Sequence, residues 1–353
     1  MKKHGHLYPQ VHDLENIRVA HRNARKGKSH YPEVRRIERN PEPAFLQIQE
    51  MLQGKTYRTS QYVRFETRCS GKLRQISKLP YFPDRIVHHA VMQVVGPLWT
   101  RTLIADTYAC IRGRGIHKGA RRIRQALRDE DGTRYCLKCD VKQFYPSVNP
   151  DILKAILRRK IKDKDLLWLL DEIIDSAPGL PIGNYLSQHF GNLYLSGLDH
   201  WLKEEKGCRY YYRYCDDLVV LHGSKPFLHD LRRQIEAYLQ ERLALELKNT
   251  WQVFPVAARG IDFLGYRFFP HYTLARKSIA SRFKRKTRRI RKKGRNMEPA
   301  QVVNSLMSYY GWFKHADCHH LMRTHMDDEI RSIAADACEA GGMRVPTPLE
   351  SAA

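Results

Sequence analysis

The stretch Tyr210–Leu221, YYYRYCDDLVVL, decides how the rest of the chain is read. Tyrosines at 210, 212 and 214 alternate with other residues and Leu218–Leu221 is a short apolar run, so the pattern predicts two strands joined by a tight turn. Asp216 and Asp217 then stand at the tip of a hairpin. Adjacent carboxylates repel and raise each other's pKa, so the pair is costly to hold unless water or a cation compensates it. The plainer reading is an acidic turn, because aspartate bonds locally to turn backbone.

Upstream, RYCLKCDVKQFYPSV predicts a buried strand over Tyr135–Val141, with Asp140 at its end and the aromatic pair Phe144 and Tyr145 beyond it. A carboxylate closing an apolar strand packs poorly but suits a hard cation. Three carboxylates from two neighbouring strands can hold a pair of Mg²⁺ ions about 3.5–4 Å apart, as in-line phosphoryl transfer requires. Mg²⁺ keeps several waters and takes only one or two carboxylates besides substrate phosphates, so no dense ligand motif is needed.

These residues carry a family resemblance. YCDD after tyrosines resembles the Tyr-x-Asp-Asp signature of reverse transcriptases, and DVKQFYPSV resembles their first catalytic motif, an aspartate followed four and five residues on by aromatics. GLPIGNYLSQHFGNLYLSGLD resembles the motif found in reverse transcriptases of diversity-generating retroelements, where an aliphatic residue precedes Gly-x-x-x-Ser-Gln, here Ile182, Gly183, Ser187 and Gln188. Group II intron relatives would show glutamine before the glycine and Ser-Pro at the end. Cys215 stands where methionine is common in the retroelement enzymes.

The resemblance implies an α+β right-hand polymerase with fingers, a palm of antiparallel sheet and packed helices, and a helical thumb. It divides the chain into an N-terminal basic helical extension (1–54), fingers (55–134), palm (135–270, with a helical insertion around 150–178), thumb (271–325) and a C-terminal tail (326–353). It implies an RNA-directed DNA polymerase, error-prone at template adenines. Asp140, Asp216 and Asp217, with Val141 beside them, would hold two Mg²⁺ ions, for which Mn²⁺ could substitute. Lys72 and Arg74 match the basic finger residues that meet the deoxynucleoside triphosphate, a role the guanidinium fork suits. Tyr145 falls at the steric-gate position, with Phe144 next to it.

Ile182, Gly183, Ser187 and Gln188 would support the template base opposite the incoming nucleotide. An apolar Ile182 cannot hydrogen-bond there, so discrimination would rest on shape and be weaker. Lys248 is a candidate proton donor to pyrophosphate, or an exposed lysine at a helix end. Primer and template contacts are implied for Arg114, Tyr214 and Cys215, for the primer-grip turn Phe263, Leu264, Gly265 and Tyr266, and for His315 in a thumb motif with Ser308, Tyr309 and Gly311. The expected partners are a template RNA, the cDNA/RNA hybrid, and a small basic oligomeric accessory protein, the accessory variability determinant. Retron, intron-derived and phage-defence reverse transcriptases are alternatives, as is a non-catalytic nucleic-acid-binding protein of the same fold.

The composition agrees with a polyanionic partner. In 353 residues, 62 Lys and Arg against 37 Asp and Glu leave a net charge of +25, which favours nucleic acid. No run approaches the roughly 18 apolar residues of a spanning helix, and MKKHGHLYPQ is no secretory signal. A soluble, cytoplasmic protein of bacterial or phage origin is expected. Eight scattered cysteines suit a reducing compartment. Cys136 and Cys139 read as packed strand residues. The Cys318, His319 and His320 cluster lacks a partner pair at finger spacing.

Periodicity fills in the rest. Helices are predicted in the basic N-terminal region and over 41–54, then a hairpin turning at Ser70-Gly71, and a helix from Ile86. Glycines 113 and 115 lead into a basic helix near Ile116. Amphipathic helix is expected over 151–175, from Gly183 through Leu198, and over 226–247. Arg276–Arg295 is a basic run without an acid, containing Lys284, Arg288 and Arg291, and it reads as a cationic thumb helix tracking a phosphate backbone. GGMRVPTPLESAA reads as a frayed tail.

Overall fold

The computed structural model describes residues 3–69 and 71–347, without the side chains of Cys69 and Lys72. Two compact units divide the chain. The first comprises Met1–Arg112, Lys138–Leu218 and His229–Gln252, and the second Gly113–Leu137, Val219–Leu228 and Val253–Ala353. Among the described residues, nine strands form three sheets. β1 (Val63–Cys69) and β2 (Lys72–Lys78) make an antiparallel hairpin in the register Val63↔Lys78 to Cys69↔Lys72. β3 (Tyr135–Asp140), β4 (Tyr210–Tyr214), β5 (Asp217–His222) and β6 (Gln252–Pro255) form a four-stranded sheet in the order β4-β5-β3-β6. β7 (Ile261–Phe263), β8 (Tyr266–Phe268) and β9 (Thr273–Ala275) form an antiparallel meander. No described helix is long and apolar enough to cross a membrane.

In the first unit the N-terminal helices are integral rather than appended. Asp13 caps the helix Leu14–Ala24 by accepting from the Asn16 amide, and Ile17, Ala20 and Ala24 are buried. Asn16 then donates to the Ala90 carbonyl on the helix Ile86–Thr102 at 3.2 Å, and Gln93 returns a bond to Asn16. The basic residues of this region face outward because its apolar positions recur at helical spacing toward that contact. The expected helix over 151–175 is two, Pro150–Arg158 and Lys164–Asp175, capped by Asn149 and Asp163.

Two helix boundaries differ from expectation. Gly183 opens no helix. It lies in a turn at φ +119°, where a Cβ would approach the Ser77 carbonyl oxygen to 2.6 Å, and the helix starts at Ser187. Lys225–Leu243 stops short of 247 because Ala244 turns to φ +50°, after which Leu247 bridges to Val141. The expected turn residue Ser70 lies outside the described residues.

In the second unit the basic run is itself a helix, Lys277–Lys293, with Ile279, Phe283, Thr287 and Ile290 buried. Their spacing of four, four and three places them along one seam. They pack with Val302, Val303, Leu306 and Phe313 of the helix Pro299–Phe313 and with Ile330, Ile333, Ala334 and Cys338 of the helix Asp328–Ala340. The segment 326–353, read as tail, therefore contributes a core helix as far as Ala340. Its alanines, Ala334 and Ala337 among them, are small enough to allow close packing. Residues 348–353 lie outside the described residues.

Candidate active site

Strand burial places the carboxylates. β3 is buried at Cys136, Leu137 and Cys139, and β5 at Leu218–Leu221, so Asp140 and Asp217 mark the edges of apolar runs. β4 is not half-buried as its alternating tyrosines suggested: Tyr211, Tyr212 and Arg213 are all buried. The hairpin turn is made by Cys215 at φ +53°, a left-handed conformation that costs a non-glycine residue on the order of 1 kcal/mol. The Val141 amide donates to the Asp216 carbonyl at 3.3 Å and the Lys248 amide to the Asp140 carbonyl at 2.9 Å. Backbone hydrogen bonds thereby tie three segments distant in sequence at one place.

Lysines balance the acids. The Lys248 ammonium lies 3.8 Å from Asp140 Oδ1 and 3.9 Å from Asp216 Oδ2, so the two carboxylates share one counter-ion. Lys138 Nζ lies 3.4 Å from Asp217 Oδ2. Burial pushes the Asp217 pKa up to about 7 against the pull of Lys138, with the Asp140 charge adding to the rise. Asp216 is raised by burial, against the opposing charges of Lys248 and Arg74. Asp217 Oδ1 is buried without a hydrogen-bond partner, a costly state for a carboxylate oxygen. Among the described residues, no three His, Cys, Asp or Glu side chains are gathered closely enough to hold a metal ion. The donor set nevertheless fits a hard cation, since all its side-chain donors are carboxylate oxygens and one of them is orphaned.

The remaining site residues divide into those at the carboxylates and those that are not. Tyr145 shares a hydrogen bond with the Cys215 thiol, and burial raises both their pKa values, that of Cys215 to about 11. Tyr214, next in chain to Cys215, is half-buried, and Arg74 is exposed on β2. Ile182 is half-buried and its carbonyl accepts from the Ser77 amide at 2.7 Å, linking its turn to β2. Ser187 is buried and donates to the Pro181 carbonyl, so its hydroxyl is spent on the turn. Gln188 is exposed and meets the Cys110 thiol. Lys72 lies outside the described side chains.

Several expected contact residues are core residues instead. Phe144 is 3% exposed and packs at Gly191, where a Cβ would meet its ring at 3.0 Å. Phe144 thus stands behind Tyr145 and is not open to a ligand. Val141 is fully buried, leaving only its backbone for any role. In the second unit Phe263, Leu264 and Tyr266 are buried, and Gly265 at φ +85° lies against Trp312; the strand alternation turns Asp262 and Arg267 outward in their place. The Tyr266 hydroxyl donates to the Trp312 carbonyl. The His315 ring lies 4.1 Å from that of His117, tilted by 34°, and Arg114 is half-buried before the helix Ile116–Ala126. Lys284 and Arg288 are exposed, whereas Arg291 is paired with Asp327 and Glu329. Cys318 is buried in the apolar core and His319 and His320 are exposed, so the three do not converge.

Two groups escaped sequence reasoning. Lys138 lies two residues before Asp140 on one strand, hence on the same face, and that spacing could have flagged it. The buried pair Asp199 and Arg213, with side chains 0% exposed and 2.6 Å apart, left a fainter sign: an acid among Leu195, Leu198 and Leu202.

A sheet that presents carboxylates at strand ends accords with the α+β fold of a polymerase. The family model described as reverse transcriptase (RNA-dependent DNA polymerase) matches residues 63–268, more than half of the chain, and the chain belongs to that family. It is 24% identical to Protein YkfC of Escherichia coli (strain K12), over 57% of this chain and 64% of that protein. It is 25% identical to Nuclear intron maturase 1, mitochondrial, of Arabidopsis thaliana, over 40% of this chain and 20% of that protein. The chain therefore spans less than two thirds of either relative. Among solved structures, telomerase from Candida albicans with a fragment of telomeric RNA aligns at a TM-score of 0.53 and 10% identity, over 82% of this chain and 57% of that one. Apo telomerase from Candida tropicalis aligns at 0.50 and 12%, over 81% and 59%. At those identities the likeness is one of fold.

Proposed function

We propose that the chain polymerises DNA on an RNA template, with Asp140, Asp216 and Asp217 holding two divalent cations, Mg²⁺ or in its place Mn²⁺. The observation that carries this reading is Asp217: a carboxylate with an orphaned, buried Oδ1 and a pKa pushed up to about 7. Cations bound there would lower the pKa of a primer 3′-hydroxyl and steady the pyrophosphate leaving group. Lys248, between Asp140 and Asp216, would be released from that pairing by a bound cation and would then be placed to protonate the leaving group. Arg74 supplies a guanidinium fork for phosphate, and the Tyr145 ring, held by Cys215, stands as the steric gate against a 2′-hydroxyl. The purified chain, given a primed RNA template, deoxynucleotides and Mg²⁺, extends the primer and stops when the metal is chelated. Asp216→Ala chain that retained extension would sink this reading and leave a nucleic-acid-binding role.

Within that activity we infer the diversity-generating subtype, acting with a template RNA and a small basic accessory protein. Ile182 supports it, because a half-buried aliphatic side chain in a turn fixed by Ser77 offers the template base no hydrogen bond. Sequenced products carry an excess of errors opposite template adenine, and Ile182→Gln reduces that excess. Equal error at all four bases in the presence of the accessory protein would remove the subtype while leaving the polymerase. The likeness to an intron maturase favours the intron-derived class as the second reading. Near-identical flanking repeats that differ mainly at adenines decide between the two.

A further inference from the structure

We propose that Arg213 is a positioning residue: through the Cys215 carbonyl it fixes the turn that aims Asp216 and Asp217, and so sets how tightly divalent cations are held. This rests on the reading of those aspartates as metal ligands.

All five guanidinium donors of Arg213 are engaged. Nε donates to Asp199 Oδ1 at 2.7 Å and Nη2 to Asp199 Oδ2 at 2.6 Å, a two-point fork on one carboxylate. Nη2 also donates to the Asn192 carbonyl at 3.1 Å, and Nη1 to Asn192 Oδ1 at 3.2 Å. The remaining bond, from Nη1, reaches the Cys215 carbonyl at 3.0 Å. Asp199 is satisfied in turn by the hydroxyls of Tyr211 at 2.6 Å and Thr107 at 3.2 Å. The Arg213 backbone is pinned on both sides, its amide donating to the Asp106 carbonyl and its carbonyl accepting from Tyr108.

Each member of this network belongs to a buried segment, and only the Cys215 carbonyl lies on the turn. A residue at φ +53° that is not glycine needs its surroundings to hold it there, and the guanidinium supplies a donor at the carbonyl that this conformation turns inward. The neighbouring residue is Asp216. Arg213 does not touch either catalytic carboxylate, so its influence passes through backbone geometry and not through direct charge pairing. Lysine could not replace it, because a compact ammonium with three donors cannot span Asp199, Asn192 and Cys215 together.

Removing the arginine alone would strand the Asp199 charge and endanger folding. The first test is therefore the triple variant Asp199→Leu, Tyr211→Phe, Arg213→Met, which exchanges the buried ion pair for apolar groups of similar size and leaves the Cys215 carbonyl without its donor. Mn²⁺ binding is read directly by electron paramagnetic resonance of the free ion, and primer extension is measured alongside it. The expected result is a folded protein whose Mn²⁺ Kd rises about tenfold and whose kcat falls at least as much, with the KM for deoxynucleotide within about twofold. If the triple variant does not fold, Arg213→Lys, which keeps a cation beside Asp199, is expected to show the same split. A wild-type Mn²⁺ Kd in whichever variant folds overturns the proposal, as does a KM that moves with kcat. The wild-type chain separates this from the broader reading: if it bound Mn²⁺ without extending a primer, the polymerase function would fail while the positioning role stood.

Discussion

The carboxylate site and the basic helix Lys277–Lys293 use charge in opposite ways. At the site a few acids are withdrawn from water, balanced by single lysines and fixed by backbone hydrogen bonds from other segments. Along the helix many cations stand in solvent, and one seam of Ile279, Phe283, Thr287 and Ile290 fixes the backbone beneath them. Burial shifts pKa values and makes position decisive, as chemistry at a fixed point requires. Exposure leaves charges screened and individually replaceable, which suits a uniform polyanion. On the proposed reading, losing one cation would weaken the helix's hold, whereas losing one acid would stop the site.

The strongest way to break that contrast is Asp217→Asn. Extension is expected to fall on the order of 10³-fold, the scale seen when one preorganised electrostatic group is removed. Stability moves the other way. The folded-state pKa of Asp217 is raised to about 7 from 3.8, so the native chain binds this proton more tightly than the unfolded chain does. Its contribution is whole below pH 3.8 and is lost as pH rises through 7. In EDTA at pH 8, Asp217→Asn is expected to melt above the wild type, with the difference vanishing toward pH 4. A variant less stable than wild type at pH 8 would mean that the carboxylate is not held against a desolvation cost.

Buried histidines of the same unit extend the contrast with the opposite sign. Burial, with the Arg85 charge next in weight for the first two, lowers His88 and His89 to about 3, and burial alone lowers His189 to about 4. The folded chain keeps these rings neutral while the unfolded chain protonates them below 6.5, so stability is present above that pH and drains as pH falls toward 4. Groups facing them include Arg85, Lys26 and the ring of Tyr185, stacked 4.0 Å from His89. The melting temperature of the metal-free chain is expected to drop between pH 7 and 5, and less steeply in His88→Met. A flat profile over that range would contradict the burial of these rings.

Much of this organisation was legible in the sequence, for reasons that particular residues make clear. Asp140, Asp216 and Asp217 could be found because an acid at the edge of an apolar strand violates the pattern around it. Arg213 could not, because an arginine among tyrosines reads as an outward strand position until a carboxylate 14 residues upstream is known to meet it. Phe144 and Phe263 fall in motifs whose resemblance implies ligand contacts, but aromatics serve cores and binding sites alike, and only burial separates the two uses. The basic run reads as a cationic helix and forms one, but its seam of Ile279, Phe283, Thr287 and Ile290 is sparse enough for the cations to obscure that it carries a core. The helix Asp328–Ala340 was hidden by alanine, whose small side chain gives a weak periodic signal even where, as at Ala334, it is fully buried.

The gentlest test lies within the basic helix, where neighbouring cations are used differently. Lys284 and Arg288 are exposed, and each is expected to neutralise about one phosphate of a bound duplex. Alanine at either position then weakens hybrid binding and reduces the slope of log affinity against log salt by about one, leaving Mn²⁺ binding unchanged. Arg291 has the same charge and is only three residues from Arg288, but it holds Asp327 and Glu329 at the start of the helix Asp328–Ala340. Its partners already neutralise it, so Arg291→Ala is expected to leave the salt slope where it was. The half-exposed pairs it gives up are worth about 0.2–1 kcal/mol each, a loss read as a fall of a few degrees in melting temperature. If Arg291→Ala lowered the slope as Lys284→Ala does, the ion pairs would have to open when nucleic acid binds. Arg291 would then belong with the cations that meet the duplex.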